Sequence, residues 1–277
     1  MTIDLTDKLV VITGAGRGIG LATAARFIDA GARVVIGDLD DDVAAKAALQ
    51  VGRGRVGVAE GHVVDVADRD SYAAFIAHAR TLGPIDVLVN NAGIMPLSTL
   101  EKHDDASIDR TLDINVRGVV TGTKLVVPDM IARRSGHVIN VASAVGRMGY
   151  AGAAVYSASK FAVVGFTEAM HSELAPHGVH ASVVLPTVVA TELSAGVASA
   201  PGMKPCTPEQ VAAAIVGVAR KPRFETWVPG YAKGVGYGLS MVPRRGRDWL
   251  GRATGGDAIL LDVDDEARAD YETRARR

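Results

Sequence analysis

KLVVITGAGRGIG, from Lys8 to Gly20, joins an apolar, β-branched run to a glycine-rich turn, and this junction decides the fold. The apolar run predicts a strand, and the residues after the turn predict a helix. Gly14, Gly18 and Gly20 are spaced so that the backbone can turn tightly and approach a pyrophosphate at the positive end of that helix. Ile19 breaks the strict GxGxxG form, so a plain tight turn is the alternative interpretation.

A carboxylate about twenty residues beyond the turn strengthens the prediction of a dinucleotide site. Asp38 ends the second predicted strand, where it can accept hydrogen bonds from the ribose hydroxyls of adenosine. Its charge would repel a 2′-phosphate, so it favours NAD over NADP. Arg17 could instead attract a 2′-phosphate, or pair with a surface acid. The aspartates here could also only cap the next helix, a role that Asp40 or Asp41 can fill without Asp38.

Short apolar runs alternate with longer helix-like segments over most of the chain. After the first strand, the runs are ARVVIGD, HVVD, IDVLVNNAG, GHVINVAS, VHASVVLP and RFETWVPG. Strands that alternate with helices pair in parallel, and the helices cover both faces of the sheet. The sequence therefore predicts an α/β fold with a doubly wound parallel sheet, in one domain over residues 1–277.

The composition argues against several classes of protein. The 277 residues are 48% hydrophobic and 22% charged, enough to bury the core of a large globular domain, and the net charge of -1 offers no basic field for nucleic acid. The single Cys206 can form neither an intrachain disulfide nor a cysteine zinc cluster, and we predict no metal site. No apolar run approaches the ~18 residues of a membrane span. The polar start MTIDLTDK does not resemble a signal peptide, so we expect a cytoplasmic protein.

The helix predicted around AVYSASKFAVVGFTEAM, Ala154 to Met170, carries a tyrosine and a lysine on one face. Tyr156 and Lys160 are four positions apart, so their side chains point the same way. An ammonium ~4 Å from a phenolate stabilises it by about 4 kcal/mol at an effective dielectric of 20, which lowers the tyrosine pKa from about 10 toward neutrality. Such a tyrosine exchanges protons at physiological pH. The alternative is an exposed lysine beside a partly buried tyrosine.

This pair is one of several motifs that follow each other in a characteristic order. They are TGAGRGIG at 13–20, DV at 65–66, NNAG at 90–93, INVRG at 114–118, NVASAVG at 140–146 and YSASK at 156–160. From Lys8 to about Gly230, the chain resembles the short-chain dehydrogenase/reductase family in its compact form. The resemblance implies a Rossmann fold and an NAD(P)-dependent oxidoreductase that acts on CH-OH groups.

The resemblance implies four catalytic residues. Tyr156 would exchange a proton with the substrate oxygen as general acid/base, and Lys160 would hold the nicotinamide ribose and lower the tyrosine pKa. Ser143 would hydrogen-bond the reacting carbonyl or hydroxyl, and Asn115 would support a water-linked proton path through the lysine. From the residues alone, Ser143 is also typical of a turn or cap, and Asn115 of a buried asparagine that satisfies backbone groups.

The resemblance also implies the cofactor contacts. Asp65 and Val66 would contact adenine, although an aspartate there can instead cap the helix that begins near Asp68. The alanine and glycine of NNAG would let the cofactor lie against bare backbone, whereas Asn90 and Asn91 can be structural ties between strands. The predicted cofactor-binding residues are Gly14, Arg17, Gly18, Ile19, Gly20, Asp38, Asp65, Val66, Asn91, Ala92, Gly93, Tyr156, Lys160, Val189 and Thr191.

Two features depart from the family. Its sixth strand usually continues as proline-glycine, whereas LPTVVATEL has Thr187 in the glycine position, and threonine does not easily adopt a positive φ. Val189 and Thr191 still occupy positions that resemble the carboxamide and phosphate contacts. The carboxyl end lacks the glycine-rich, aspartate-bearing close of the family's commonest tetramers. We therefore expect a homodimer or homotetramer, built through the helices that include Tyr156 rather than through the carboxyl end.

An apolar pocket is indicated by the substrate loop 187–206 and by Met95, Pro96, Met148 and Tyr150, although ordinary core packing also explains these residues. We expect hydride transfer between NAD and a lipophilic small molecule, a secondary alcohol or ketone such as a steroid, terpenoid or similar ring compound. One competing function is an NADPH-dependent acyl-thioester ketoreductase, against which Asp38 argues. Another is a non-catalytic cofactor-sensing protein on the same fold.

Residues 231–277 form a carboxyl-terminal extension beyond the resemblance. Its first part, GYAKGVGYGLSMVP, contains glycines that argue against a continuous amphipathic helix before Pro243, and the basic PRRGRDWLGR follows. The last residues, DVDDEARADYETRARR, have acids first and arginines last, which predicts a short terminal helix. We favour a lid over the substrate pocket, and a weak contact with an anionic membrane surface is the alternative.

Overall fold

Parallel strands form one sheet in the computed structural model, which describes residues 2–197, 204–254, 259–261 and 263–275. The strands are β1 (Leu9–Thr13), β2 (Arg33–Asp38), β3 (Ala59–Val63), β4 (Ile85–Asn90), β5 (His137–Val141), β6 (His180–Pro186) and β7 (Glu225–Val228). Their order is β3-β2-β1-β4-β5-β6-β7. The predicted doubly wound parallel sheet is confirmed.

Helices connect the strands and continue beyond the last one. They are α1 (Gly18–Asp29), α2 (Asp41–Gly52), α3 (Arg69–Thr81), α4 (Asp105–Leu112), α5 (Gly118–Arg133), α6 (Ala154–Leu174), α7 (Pro208–Arg220), α8 (Ala232–Met241), α9 (Arg244–Thr254) and α10 (Asp265–Ala275). A π-helical turn, Asp113–Arg117, joins α4 to α5. Across the described ranges, none of these helices combines the length and the apolar character needed to cross a membrane.

Side chains of β1 alternate between two apolar cores. Val10 and Ile12 belong to one core, which also contains buried residues of α1, α2 and α7. Leu9 and Val11 belong to the other, with residues of α3, α5 and α6. Because both faces of the sheet are covered, its central strands are almost wholly apolar, which is the pattern that the sequence displays.

The strand order changes direction at β1. This strand pairs with β2 on one side and with β4 on the other, so the connections after β1 and β4 leave the sheet in opposite directions. A doubly wound sheet has a crevice at such a point, beyond the carboxyl ends of its strands. The glycine turn follows β1 and NNAG completes β4, so both motifs lie at this crevice.

Other aspartates take the capping roles that were open for Asp38 and Asp65. Asp40 caps α2, because its carboxylate accepts a hydrogen bond from the Val43 amide at 3.3 Å. Asp68 caps α3 through two backbone amides of the first turn. Asp38 and Asp65 are therefore not needed as caps at the two helix starts.

Buried polar side chains connect the middle of the sheet to its helices. Asn90 on β4 donates from Nδ2 to Asn140 Oδ1 on β5 at 2.8 Å, and Asn140 Nδ2 donates to Thr167 Oγ1 on α6 at 2.9 Å. The Tyr72 hydroxyl on α3 donates to Asn90 Oδ1 at 2.8 Å. The structural interpretation of Asn90, a tie between neighbouring strands, is thus what the structure shows.

Two segments differ from the sequence expectation. The third strand covers Ala59–Val63 rather than HVVD at 62–65, because it is the edge strand, where polar residues and a glycine are tolerated. The expectation against a helix before Pro243 is wrong, since α8 forms there. Buried Ala232 packs in the same cluster as Trp227, so tertiary contacts outweigh the low helix propensity of the glycines.

The predicted terminal helix is present as α10. Asp264 precedes it and accepts a hydrogen bond from the Ala267 amide at 3.0 Å, as the run of acids predicts for a helix start. Asp262 and the final two arginines, which the prediction also used, lie outside the described residues. Residues 198–203 of the predicted substrate loop lie outside them as well.

We predict that Gly122→Ala lowers the free energy of unfolding. A Cβ at this position of α5 would press on the Tyr72 hydroxyl and come within 2.7 Å of Asn90 Oδ1, which disturbs the buried network. Overpacking of this kind costs ~1–3 kcal/mol, more than a helix gains from the change of glycine to alanine. Urea denaturation followed by circular dichroism measures the difference.

Gly217→Ala is the matched control, because an added Cβ at this position of α7 meets none of the described atoms within 4 Å. Its expected effect is a gain of roughly 0.5–1 kcal/mol. Equal effects of the two substitutions would contradict the structural role given to Gly122.

Candidate active site

A cavity of about 1360 Å³ opens at the carboxyl ends of the central strands. Most predicted cofactor and catalytic residues line it, namely Gly14, Arg17, Gly18, Ile19, Asp38, Asp65, Val66, Asn91, Ala92, Gly93, Ser143, Tyr156, Lys160, Val189 and Thr191. Gly20 and Asn115 are buried behind this lining. The volume exceeds the ~300–1,000 Å³ of a typical ligand pocket, which leaves room for a dinucleotide together with a small substrate.

The glycine turn forms the floor at one end of the cavity. Gly14 and Gly18 have φ values of 62° and 54°, in the left-handed region where a glycine is favoured. Gly18 is also the first residue of α1, so the positive end of the helix dipole meets the cavity. A Cβ on Gly14 would approach Ala92 Cα at 2.8 Å. The glycine turn and NNAG can therefore come this close only because both have small residues at the contact. These features fit a pyrophosphate at this end.

Asp38 lies at the carboxyl end of β2 beside this floor. Its Oδ2 accepts a hydrogen bond from the Gly16 amide at 2.9 Å, which fixes the carboxylate at the cavity wall. Sequence reasoning missed the contribution of Gly16, although its place inside TGAGRGIG was a signal. Arg17 forms an exposed ion pair with Glu192 at 3.3 Å, which matches the surface-acid alternative for this residue.

The next part of the wall comes from the residues after β3 and β4. Asp65 Oδ1 accepts a hydrogen bond from the Ala67 amide at 2.9 Å, so this side chain shapes its own loop, and Val66 also lines the cavity. Asn91 Nδ2 donates to the carbonyls of Thr13 and Gly14, both at 2.9 Å. Asn91 therefore ties β4 to the glycine turn, as its structural interpretation predicts.

Tyr156, Ser143 and Lys160 lie together near the middle of the cavity. Ser143 lines the cavity with Tyr156, and it caps the short turn after β5 by accepting a hydrogen bond from the Val145 amide at 3.3 Å. Lys160 Nζ donates to the Val141 carbonyl at 3.1 Å and lies 5.6 Å from the centre of the Tyr156 ring. The one-face arrangement of the tyrosine and the lysine is thus present on α6.

Burial controls the pKa values of this pair. Burial raises the pKa of Tyr156 to about 12, and the Ser143 side chain only partly opposes this rise. Burial also lowers the pKa of Lys160 to about 8, because its ammonium is removed from water. The expectation that the lysine alone brings the tyrosine pKa toward neutrality is wrong for the protein by itself. The reason is that burial of the phenol penalises its charged phenolate form.

Asn115 lies behind the cavity lining and forms hydrogen bonds to two segments of the site. Its Oδ1 accepts from the Ile94 amide and its Nδ2 donates to the Ile94 carbonyl, each at 2.9 Å. Nδ2 also donates to Ser159 Oγ at 3.0 Å, and Ser159 Oγ donates to the Tyr156 carbonyl at 2.7 Å. The amide therefore satisfies backbone groups, as its alternative interpretation predicts, and it links the loop after β4 to the helix of Tyr156. A role in proton transfer stays a prediction.

Thr187 fits its position without strain. It does not take a positive φ, its amide donates to the Val228 carbonyl at 2.9 Å, and its hydroxyl lies 3.6 Å from Cys206 Sγ. Val189 pairs with Cys206 in a parallel bridge. The start of the loop after β6 therefore contacts the end of the same loop. Thr187 occupies the position of the family's usual glycine without a strained backbone.

The carboxyl-terminal helix contributes residues to the lining at the other end of the cavity. Arg268 is only 1% exposed and donates to the carbonyls of Met95 at 2.7 Å, Ala195 at 2.9 Å and Leu193 at 3.2 Å. The Met95 amide donates to the Tyr271 hydroxyl at 2.6 Å. Sequence reasoning missed these residues, since no local pattern connects positions so far apart in the chain.

This end of the cavity is apolar. Met95, Ala153, Tyr156 and Leu260 form a buried cluster, and Tyr150 packs against it. Met95 and Tyr150 line the cavity, as the sequence predicts. Among the described residues, Pro96 and Met148 are not part of that lining.

Comparisons with known proteins agree with this site. The family model described as short chain dehydrogenase matches residues 8–201. The chain is 36% identical over 191 residues to a 3-oxoacyl-(acyl-carrier-protein) reductase of Thermotoga maritima, covering 69% of this chain and 77% of that protein. It is 37% identical over 222 residues to a galactitol 2-dehydrogenase of Agrobacterium fabrum, covering 78% and 85%.

A solved structure has the same fold. It is a short chain dehydrogenase/reductase from Burkholderia phymatum in complex with NAD, with a TM-score of 0.78 and 24% identity. The likeness covers 85% of this chain and 93% of that one. Since the family model spans most of the chain and the motifs meet at one cavity, the chain belongs to the short-chain dehydrogenase family.

Proposed function

We propose that this oxidoreductase transfers a hydride between NAD and a lipophilic secondary alcohol or ketone. The observation that carries the proposal is the division of one cavity into two ends. Asp38 and the glycine turn lie at a polar end, and Met95, Tyr150 and Leu260 form an apolar end, with Tyr156 between them.

A nicotinamide dinucleotide fits the polar end. Gly14 and Gly18 offer bare backbone and the start of α1 for the pyrophosphate, and Asp38 offers a carboxylate for ribose hydroxyls. Lys160 and Gly93 lie further along the same wall; a Cβ on Gly93 would come within 3.4 Å of Lys160 Nζ. When bound, the nicotinamide supplies the hydride acceptor or donor.

Tyr156 handles the proton at the substrate oxygen. With a pKa of about 12, its hydroxyl is protonated at neutral pH and can donate to a carbonyl during reduction. In the reverse direction Tyr156 must first lose its own proton, so that the phenolate accepts the proton of the alcohol. The Lys160 ammonium, 5.6 Å from the ring centre, favours this phenolate. Ser143 can also hydrogen-bond the reacting oxygen, since it lines the same cavity.

The relatives support two other substrate classes. Similarity to the Thermotoga reductase favours an acyl-thioester ketoreductase that prefers NADPH, but Asp38 stands where it would repel a 2′-phosphate. Similarity to the Agrobacterium dehydrogenase favours a polyol, but Met95 and Leu260 offer a polyol no hydrogen-bonding side chain. A non-catalytic sensor is disfavoured because Ser143, Tyr156 and Lys160 all face the cavity.

We propose that the carboxyl-terminal extension is a lid over the apolar end. Leu260 and Tyr271 line the cavity, and Arg268 binds the carbonyl groups of its rim. The weak membrane contact has support of its own in α9, where Trp249 is 65% exposed beside Arg245 and Arg252. The buried contacts of α10 favour the lid.

Exposed residues of α5 and α6 bear on the oligomeric state, and the cysteine content bears on the cellular location. Phe161 on α6 and Val120 on α5 are exposed apolar residues, which supports a homodimer or homotetramer formed through the helices near Tyr156. A cytoplasmic location is consistent with the one cysteine, Cys206, which is buried and free.

We predict that Tyr156→Phe lowers kcat by about 10²- to 10⁴-fold, the usual contribution of a positioned acid or base. NAD affinity should stay unchanged, because the substitution removes only the hydroxyl. Steady-state kinetics with the best alcohol from a lipophilic panel, together with fluorescence titration of NADH, measures both. Tyr237→Phe, away from the cavity, is the control. Retention of more than a tenth of the wild-type kcat would refute the proton role.

We predict that the wild-type enzyme has a higher kcat/KM with NAD than with NADP, and that Asp38→Ala narrows this preference roughly tenfold. The reason is that removing the carboxylate removes a repulsion worth on the order of 1.4 kcal/mol. Asp41→Ala serves as the control, since this exposed residue of α2 does not line the cavity. A wild-type preference for NADP would overturn the cofactor assignment.

We predict that Leu260→Ala raises KM for the lipophilic substrate about tenfold and leaves KM for NAD unchanged. Leu260 is 7% exposed and lines the cavity, so its truncation removes apolar contact with the substrate. The neighbouring Leu261 is 41% exposed, and Leu261→Ala is the matched control with little effect on either constant. Initial-rate measurements over both substrates separate the two KM values.

The lid and the membrane contact predict opposite outcomes for two variants. If Leu260→Ala leaves both constants unchanged and Trp249→Ala abolishes sedimentation with anionic phosphatidylserine vesicles, the membrane role replaces the lid. If the wild type does not sediment with these vesicles, the membrane role is excluded.

A further inference from the structure

Three residues that could bind a metal ion meet at the edge of the sheet, outside the cavity. Glu60 and His62 are two positions apart on β3, so their side chains lie on the same face of the strand. His78, on α3, approaches them from the helix that covers this edge. Each of the three side chains is about one third exposed, between 34% and 38%, so a solvated ion can reach them.

The three side chains converge on one point. Glu60 Oε2 lies 3.4 Å from His62 Nε2 and 3.1 Å from His78 Nε2. The two imidazole rings have their centres 3.8 Å apart, at an interplanar angle of 45°. One potential ligand atom from each residue lies within 4.8 Å of the other two.

These separations match the edges of a tetrahedral metal site. With metal–ligand distances near 2.0–2.1 Å, neighbouring ligands of a tetrahedral zinc ion are about 3.3 Å apart. The two oxygen–nitrogen distances at Glu60 are already close to this value, so binding requires small side-chain rotations that bring the imidazole nitrogens of His62 and His78 together.

We propose that Glu60, His62 and His78 bind a divalent transition-metal ion, with Zn²⁺ as the best fit. Two imidazoles and one carboxylate are a recognised zinc ligand set, and they leave a fourth position for water. The nitrogen ligands argue against Mg²⁺ and Ca²⁺, which prefer oxygen. No metal site is expected from the sequence, because Glu60 and His78 are 18 residues apart and only the packing of α3 on β3 joins them.

The site would act on structure rather than on the reaction. Its ligands come from one edge strand and one helix, so a bound ion would link β3 to α3. The chain between these elements carries Asp65 and Val66 of the cavity wall, which an ion would thereby help to fix. Binding only to the folded chain raises its stability in proportion to the logarithm of the metal concentration.

The test uses the full-length chain without a polyhistidine tag, stripped of metal with EDTA and dialysed. Isothermal titration with Zn²⁺ should give one ion per chain, with a dissociation constant in the micromolar range or tighter. Glu60→Gln, His62→Ala and His78→Ala should each raise that constant at least ~100-fold, since even indirect partners of a metal contribute 10–100-fold. His177→Ala, an exposed histidine elsewhere, is the control and should bind as the wild type does.

A second measurement separates loss of the site from loss of the fold. Melting temperatures recorded in EDTA should show that the variants are folded, and Zn²⁺ should then raise the melting temperature of the wild type and of His177→Ala only. Co²⁺ titrated into the wild type should give the intense visible absorption of a tetrahedral centre. No Zn²⁺ binding by the wild type, or binding that survives in folded Glu60→Gln, His62→Ala and His78→Ala, would overturn the proposal.

Discussion

The amide side chains of Asn90 and Asn140 must be hydrogen-bonded, because they are buried in the middle of the sheet. The position of the active site depends on which partners these two amides bind. An unsatisfied buried polar group costs about 1–3 kcal/mol, so alternative placements of the surrounding helices are disfavoured. Tyr72 of α3 and Thr167 of α6 complete the network. Since α6 also carries Tyr156, the same hydrogen bonds that join two strands fix the distance of the Tyr156 helix from the sheet.

A second layer of hydrogen bonds sets the orientation of that helix at its start. Asn115 connects the backbone of Ile94 to Ser159, and Ser159 connects to the Tyr156 carbonyl. The π-helical turn that contains Asn115 interrupts the passage from α4 to α5 at this point. Such an irregularity often marks a functional position, and here it brings one amide into contact with both the loop and the helix.

Much of the fold and the polar end of the site could be predicted because their signals are local. Asp38 ends a strand that its own apolar residues define, and Tyr156 and Lys160 need only helical periodicity to meet. The apolar end could not be predicted, since Arg268 and Tyr271 act through contacts with Met95 across more than half the chain. Edge strand β3 and helix α8 were misjudged for a related reason: their neighbours, rather than their own propensities, decide their structure.

The electrostatics of the site also depend on burial more than on sequence spacing. Helical spacing brings an ammonium near a phenol, but it does not reveal that both groups have lost their water. In the folded chain Lys160 loses its proton more easily than a free lysine does. Tyr156 loses its proton less easily than a free tyrosine does. The protonation states of Tyr156 and Lys160 therefore depend on their surroundings. Any further positive charge in the cavity would change the pKa values of both side chains at once.

Arg268 couples two loops of the cavity wall. Its guanidinium holds carbonyls on the loop after β4 and on the loop after β6, through Met95, Leu193 and Ala195, and it is also paired with Glu272 at 3.0 Å. Because one rigid, planar group makes all these bonds, displacing one loop disturbs the hydrogen bonds that hold the other. The loops after β4 and β6 should therefore move together, so that replacing Arg268 loosens both at once.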